Sequence, residues 1–183
     1  METLKSNIVN YIIRIEIICL LIIMQASVIQ GQESHCQYLW LNPISQYANP
    51  GERIPISIYY DVTDNDNTLF GFGLRLFYNS SLVSFEKNDQ LFNLFKPPAI
   101  MPDEDNLDGD PKTDRYLLIA WLEWNGRWPG QKLPCLLGNI HFQVLPDASV
   151  SIANINIRST ATNPGYCDVL QSAKVYIRPL TKQ

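Results

Sequence analysis

The chain has 183 residues and a formal charge of −4, which leaves room for one ordinary domain and little more. Apolar residues make up 46% and charged residues 17%, enough for a real core. No basic patch or stripe occurs, which argues against nucleic acid as a partner.

Residues 1–31 read as an export signal. Lys5 and Arg14 supply the positive start, and an apolar run from Ile15 to Met24 follows, interrupted only by Glu16. Ala26, Ser27 and Gly31 come next as small residues. The alternative is an uncleaved N-terminal anchor, because roughly 18 apolar residues can span a bilayer. Residues 32–183 then form the domain, secreted or held at the cell surface. Cys19 lies in the signal, leaving Cys36, Cys135 and Cys167 with no C-x-x-C spacing, which argues against zinc. In an exported protein an odd count implies one disulfide and one leftover thiol.

The periodicity of the domain is 2, not 3.6, almost throughout. An opening strand falls at 36–41. In 53–60, Ile54, Ile56, Ile58 and Tyr60 share one face, and Pro55, lacking a ladder donor, places part of this strand at an edge. Asp64, Asn65, Asp66 and Asn67 form a turn. In 69–78, Phe70, Phe72, Leu74, Leu76 and Tyr78 are assigned to the core, with Leu69, Gly71, Gly73, Arg75 and Phe77 facing out. Asn79-Ser80-Ser81, a glycosylation sequon in a host with that machinery, turns the chain into a strand at 82–87. Residues 91–95 read as one helical turn. Residues 96–114 form a long Pro-rich and acidic loop. A nearly all-apolar strand at 116–124 follows, then a turn at 125–130 and a strand at 136–144. Val150 and Ile152 alternate in one phase and Ala153, Ile155 and Ile157 in the other, which suggests a β-bulge. Ala173, Val175 and Ile177 mark the last strand. Eight or nine strands without a long helix read as an all-β sandwich or jelly roll.

The run Phe72-Gly73-Leu74-Arg75-Leu76-Phe77-Tyr78-Asn79-Ser80-Ser81-Leu82 resembles the passage from the third to the fourth strand of cohesin domains. Asp110, Thr113-Asp114, the stretch 117–121, Gly126, Trp128-Pro129-Gly130, Leu133-Pro134, Leu136 and Pro164-Gly165-Tyr166 extend the likeness over about 36–177. The resemblance implies a nine-stranded jelly-roll sandwich, a fold shared with some carbohydrate-binding modules. It also implies an extracellular docking role, with dockerin modules as partners and polysaccharide-degrading assemblies as the setting. Because first and last strands are neighbours in that fold, it implies a disulfide between Cys36 and Cys167. Polar positions that contact dockerin in the family fall here on Gly71 and Gly73, which leaves dockerin recognition open.

No nucleophile-elbow, zinc-protease or dinucleotide motif occurs, and the two histidines, His35 and His141, lie far apart in the chain. The domain therefore reads as non-catalytic. A glycosidase would need Glu123 and the acidic loop to converge. Calcium is the candidate cofactor, with Asp105, Asp108, Asp110 and Asp114 as ligands; the alternative is a solvated acidic loop. Trp121, Trp124 and Trp128 read as core and turn packing, or else as a sugar-stacking platform. The expected partner face holds Gly71, Gly73, Arg75 and Phe77, extended by Trp121 and Glu123. The reading is a binding module for a dockerin-like or other extracellular protein. Polysaccharide is the alternative ligand, and a structural or adhesion domain without a specific ligand the third.

Overall fold

A computed structural model of the chain describes residues 35–91 and 97–178. The expected signal and most of the expected helical turn at 91–95 lie outside the described residues. The strands are β1 (His35–Asn42), β2 (Ser45–Ala48), β3 (Arg53–Val62), β4 (Thr68–Leu69), β5 (Gly71–Tyr78), β6 (Val83–Asp89), β7 (Ala99–Pro102), β8 (Arg115–Leu122), β9 (Trp128–Pro129), β10 (Cys135–Val144), β11 (Ser151–Ala161), β12 (Tyr166–Gln171) and β13 (Ala173–Ile177). Among the described residues there is no helix. One sheet runs β12-β1-β3-β10-β6, the other β2-β13-β11-β5-β8-β7, and β4 pairs with β9 apart from both. The strands exceed the expected nine because β2, β4, β7 and β9 carry too few residues to show alternation, and β12, a mostly exposed edge strand, shows none.

The two large sheets form an all-β sandwich, and alternation explains its core. Ile54, Ile56, Ile58 and Tyr60 of β3 are buried, as are Ile140, Phe142 and Val144 of β10. They meet Leu74 and Leu76 of β5, Leu117 and Ile119 of β8, and Ala153, Ile155 and Ile157 of β11. Each large apolar side chain enclosed in this way contributes roughly 1.5–3 kcal/mol.

Several local expectations change. β3 lies between β1 and β10, yet β1 stops at the Asn42–Ser57 pair, so Pro55 is unpaired on that side, a local edge within an inner strand. The register shift in β11 falls between Ser159 and Ala161, not at Ile152; Val150 and Ile152 both point outward and are exposed. Phe70, expected in the core, is 56% exposed, whereas Leu69, expected outside, is buried. The cause is Gly71. Its φ of +130° breaks the strand there, so Leu69 belongs to β4, opposite Trp128, and the alternation restarts in β5.

Cys36 and Cys167 are bonded, as expected. They are directly opposed in the parallel pair β1–β12, with Cα atoms 4.5 Å apart. Cys135 is the free, buried thiol. A buried polar chain ties the two sheets together at one end. Gln37 donates to the Tyr60 hydroxyl at 2.6 Å and accepts from the Asn163 backbone at 2.9 Å. The Asn163 side chain donates to the Gly71 carbonyl at 2.7 Å and accepts from the Phe70 N–H at 2.9 Å. Burial pushes the Tyr60 phenol well above its ordinary pKa, so it stays neutral.

Candidate docking face

The outer face of β11, β5, β8 and β7 is organised in cross-strand rows. One row is Asn156, Phe77, Tyr116 and Met101. The next is Arg158, Arg75, Leu118 and Ala99. Beyond it lie Ala161, Gly73 and Ala120, then Gly71 and Leu122.

The acidic loop folds back onto the Asn156 end of the first row. Its base closes where the Asp103 N–H donates to the Asp114 carbonyl at 2.9 Å. Asn156 donates to the Asp108 carboxylate at 2.8 Å, and Asn154 to that of Asp110 at 2.7 Å. Arg158 donates to the Asp108 carbonyl at 2.8 Å. Thr113, itself buried, holds the turn by donating to Asp108. The Asn154 hydrogen bond, with those from the Lys112 N–H and Asn156, holds the Asp110 carboxyl below the usual carboxylate range.

This roof corrects the expected face. Phe77 points outward, as its phase requires, but is 0% exposed and stands apart from the cluster shared by the two sheets. Its ring packs on Tyr116, centroids 5.2 Å apart, next to Asn156, where the loop is anchored. Arg75 is half-buried, its guanidinium 5.2 Å from the Tyr116 ring centre. Trp121 shares the inward phase of Leu117 and Ile119 and is 2% exposed, so it belongs to the core. Glu123 follows the end of β8 and accepts from the Asn125 N–H and side chain, closing a turn. It sits at the far end of that strand from the loop base, so it does not converge with the carboxylates of the acidic loop. Trp128 is buried against Tyr60, ring centroids 4.5 Å apart, while Trp124 is exposed.

The glycines are shaped by their own neighbours. A Cβ on Gly71 would overlap the Trp121 carbonyl oxygen, and one on Gly73 the Thr160 hydroxyl. What remains open is a trough of about 280 Å³ whose lining includes Gly71, Gly73, Ala120, Leu122, Thr160 and Pro164.

The four expected calcium ligands are not gathered at one point. Asp114 accepts from Ser80, Asp108 and Asp110 from Asn156 and Asn154, and Asp105 points to solvent. Among the described residues no group of three His, Cys, Asp or Glu side chains converges on a common point.

Solved structures share this arrangement of sheets. The seventh ScaB type I cohesin of Pseudobacteroides cellulosolvens aligns with a TM-score of 0.54 at 7% identity, covering 80% of this chain and 95% of its own. A type I cohesin–dockerin complex of Clostridium thermocellum, Coh-OlpA with its dockerin, aligns at 0.53 and 15% identity, over 78% of this chain and 99% of that one. A second such complex from the same species, Coh-OlpC with its dockerin, gives 0.52 and 15%, over 79% and 95%. The fold is that of the cohesin modules. No protein-family model matches the sequence, and no curated protein matches it either.

Within this cohesin fold, the sequence reading missed Asn154, Asn156 and Arg158. Their signal was present as polar residues at a period of two, alternating with Ala153, Ile155 and Ile157. What the residues alone did not reveal is that a loop from another strand pair would meet them.

Proposed function

We propose that this chain is a non-catalytic docking module that binds a dockerin-like or other extracellular protein through the open half of its β11-β5-β8-β7 face. The observation that carries this reading is the cohesin fold together with a flat outer face, on which Arg75, Leu118, Ala120 and Leu122 remain accessible outside the roofed row. The disulfide fits an oxidising compartment, and hence secretion or display at the cell surface. Polysaccharide-degrading assemblies are the setting this role fits. The experiment is calorimetric titration with a panel of purified type I dockerins. At least one should bind saturably, and Leu118→Lys, a change at a partly exposed position in the middle of the face, should abolish binding with the melting temperature unchanged. Full binding by that variant overturns the reading of this face, and a panel without any binder removes type I dockerins as the partner.

Carbohydrate binding is the second reading, and a separate surface favours it. On the outer face of β1 and β3, Trp40 and Tyr59 lie stacked at 5.4 Å and 12°, next to Tyr38, which is itself exposed. Aromatic surfaces of this kind suit sugar rings. A glycan array in which Trp40→Ala loses a signal that Leu118→Lys keeps would establish it.

A further inference from the structure

Arg75 and Arg158 are direct cross-strand partners in the β5–β11 pair, side by side on the outer face. Like charges in directly opposed positions repel. Among the described residues neither arginine has an ion pair with a carboxylate. The nearest acids are already committed: Asp108 offers Arg158 only its backbone carbonyl, while its carboxylate accepts from Asn156 and Thr113. The Arg75 Nε is buried and lacks a hydrogen-bond partner, and Tyr116 lies beside its guanidinium. A chain with a net charge of −4 thus holds two opposed arginines, neither in an ion pair, at the loop-side edge of its open face.

The pair borders the apolar trough. Gly73 precedes Arg75 by two residues on the same strand face, roughly 7 Å along the strand. Thr160 follows Arg158 by two residues, at the register shift beside Gly73, and both Gly73 and Thr160 line the trough. The acidic loop flanks the other side of the pair, where Arg158 donates to the Asp108 carbonyl.

We propose that Arg75 and Arg158 seat a carboxylate of the partner, an Asp or Glu side chain, while an adjacent apolar side chain of the same segment fills the trough. The occupant is thus an acidic, apolar-anchored protein segment. A guanidinium pair matches a carboxylate in charge and bidentate geometry, and a carboxylate between the two relieves their repulsion. This proposal rests on the docking reading and adds the chemistry of the partner.

The test separates the two. A random dodecapeptide phage library is selected on the immobilised protein and the enriched peptides are titrated against variants. Arg158→Glu places a carboxylate opposite Arg75 and fills the seat, but it also removes the donor to the Asp108 carbonyl; Arg158→Gln, which keeps a donor there, removes the charge alone and should lose binding likewise. The expected result is enrichment of Asp or Glu within a few residues of Leu, Ile or Phe. Binding should fall at least tenfold in Arg158→Glu, recover in Arg158→Lys and weaken with added salt. Acid-free peptides, equal binding to Arg158→Glu, or no enrichment over an unrelated immobilised protein overturns the proposal. Binding of polygalacturonate in place of acidic peptides overturns it as well, since the carboxylate would then be a uronic acid. A dockerin that binds wild type and Arg158→Glu alike sinks the arginine seat and leaves the docking reading standing. Acidic peptides that bind where no dockerin does give the opposite outcome.

Discussion

Phe77 is wholly enclosed although it points away from the core between the sheets. Its burial comes from Tyr116 beside it and the acidic loop above, so Phe77→Ala opens a cavity on the outer side of β5. The expected cost is about 3–5 kcal/mol, read from urea unfolding with an unchanged slope. An unchanged midpoint would mean that the loop does not cover the ring. Arg75 tests the same strand differently: it is half-buried and has no ion pair, and Arg75→Gln should shift the midpoint by less than about 1 kcal/mol. The free cysteine gives a third test at this scale. Burial, with Asp61 nearby, pushes the Cys135 thiol up to about 11, so it stays protonated at neutral pH. Peptide mapping after iodoacetamide treatment of the native protein should find Cys135 unmodified, and modified once the chain is unfolded. Labelling as fast in the native state as in the unfolded one contradicts this burial.

The element whose behaviour matters most is the loop at 103–114. It is fastened by side chains, Asn154 and Asn156 to two carboxylates and Ser80 to a third, so its closure depends on charge. The Asp110 carboxyl is held below its ordinary value chiefly by Asn154. A folded-state pKa that is depressed stabilises the closed loop above the unfolded value of about 3.9 and loses that contribution as pH falls through the folded value. The loop should therefore stay fastened from neutral pH down to about 4 and loosen only below that. The side-chain amide resonances of Asn154 and Asn156 report it directly. A shift of those signals between pH 7 and 5, with none below 4, would show that another group controls closure. The double variant Asn154→Ala with Asn156→Ala should open the loop at neutral pH and expose Phe77, seen as dye binding absent in wild type.

At the scale of the molecule, two devices reinforce the fold beyond the apolar core, a disulfide within one sheet and a polar chain between the two. The disulfide closes a separation of 131 residues, which the chain-entropy model puts at about 5 kcal/mol. Cys36→Ser with Cys167→Ser should lower unfolding stability by up to that amount while leaving the fold intact; a change under 1 kcal/mol would mean the unfolded chain is already constrained. The other is the Tyr60–Gln37–Asn163 chain, where Asn163→Ala strands the Gly71 carbonyl and the Phe70 N–H and should cost about 2–4 kcal/mol. The residues alone determined the fold class, the inward phase of most long strands, and, through the cohesin resemblance, the cystine pairing. These follow from alternation and from topology, which are written locally or in register. Tertiary structure decided the rest. A period of two states which residues share a face but not what covers that face, so Phe77 reads as exposed until a loop twenty-six or more residues away in the chain is seen anchored beside it. Alternation also cannot be carried across a broken strand, which is why Leu69 and Phe70 exchange places at Gly71. The opposition of Arg75 and Arg158 is a matter of register between strands far apart in sequence, and only the assembled sheet brings the two charges together.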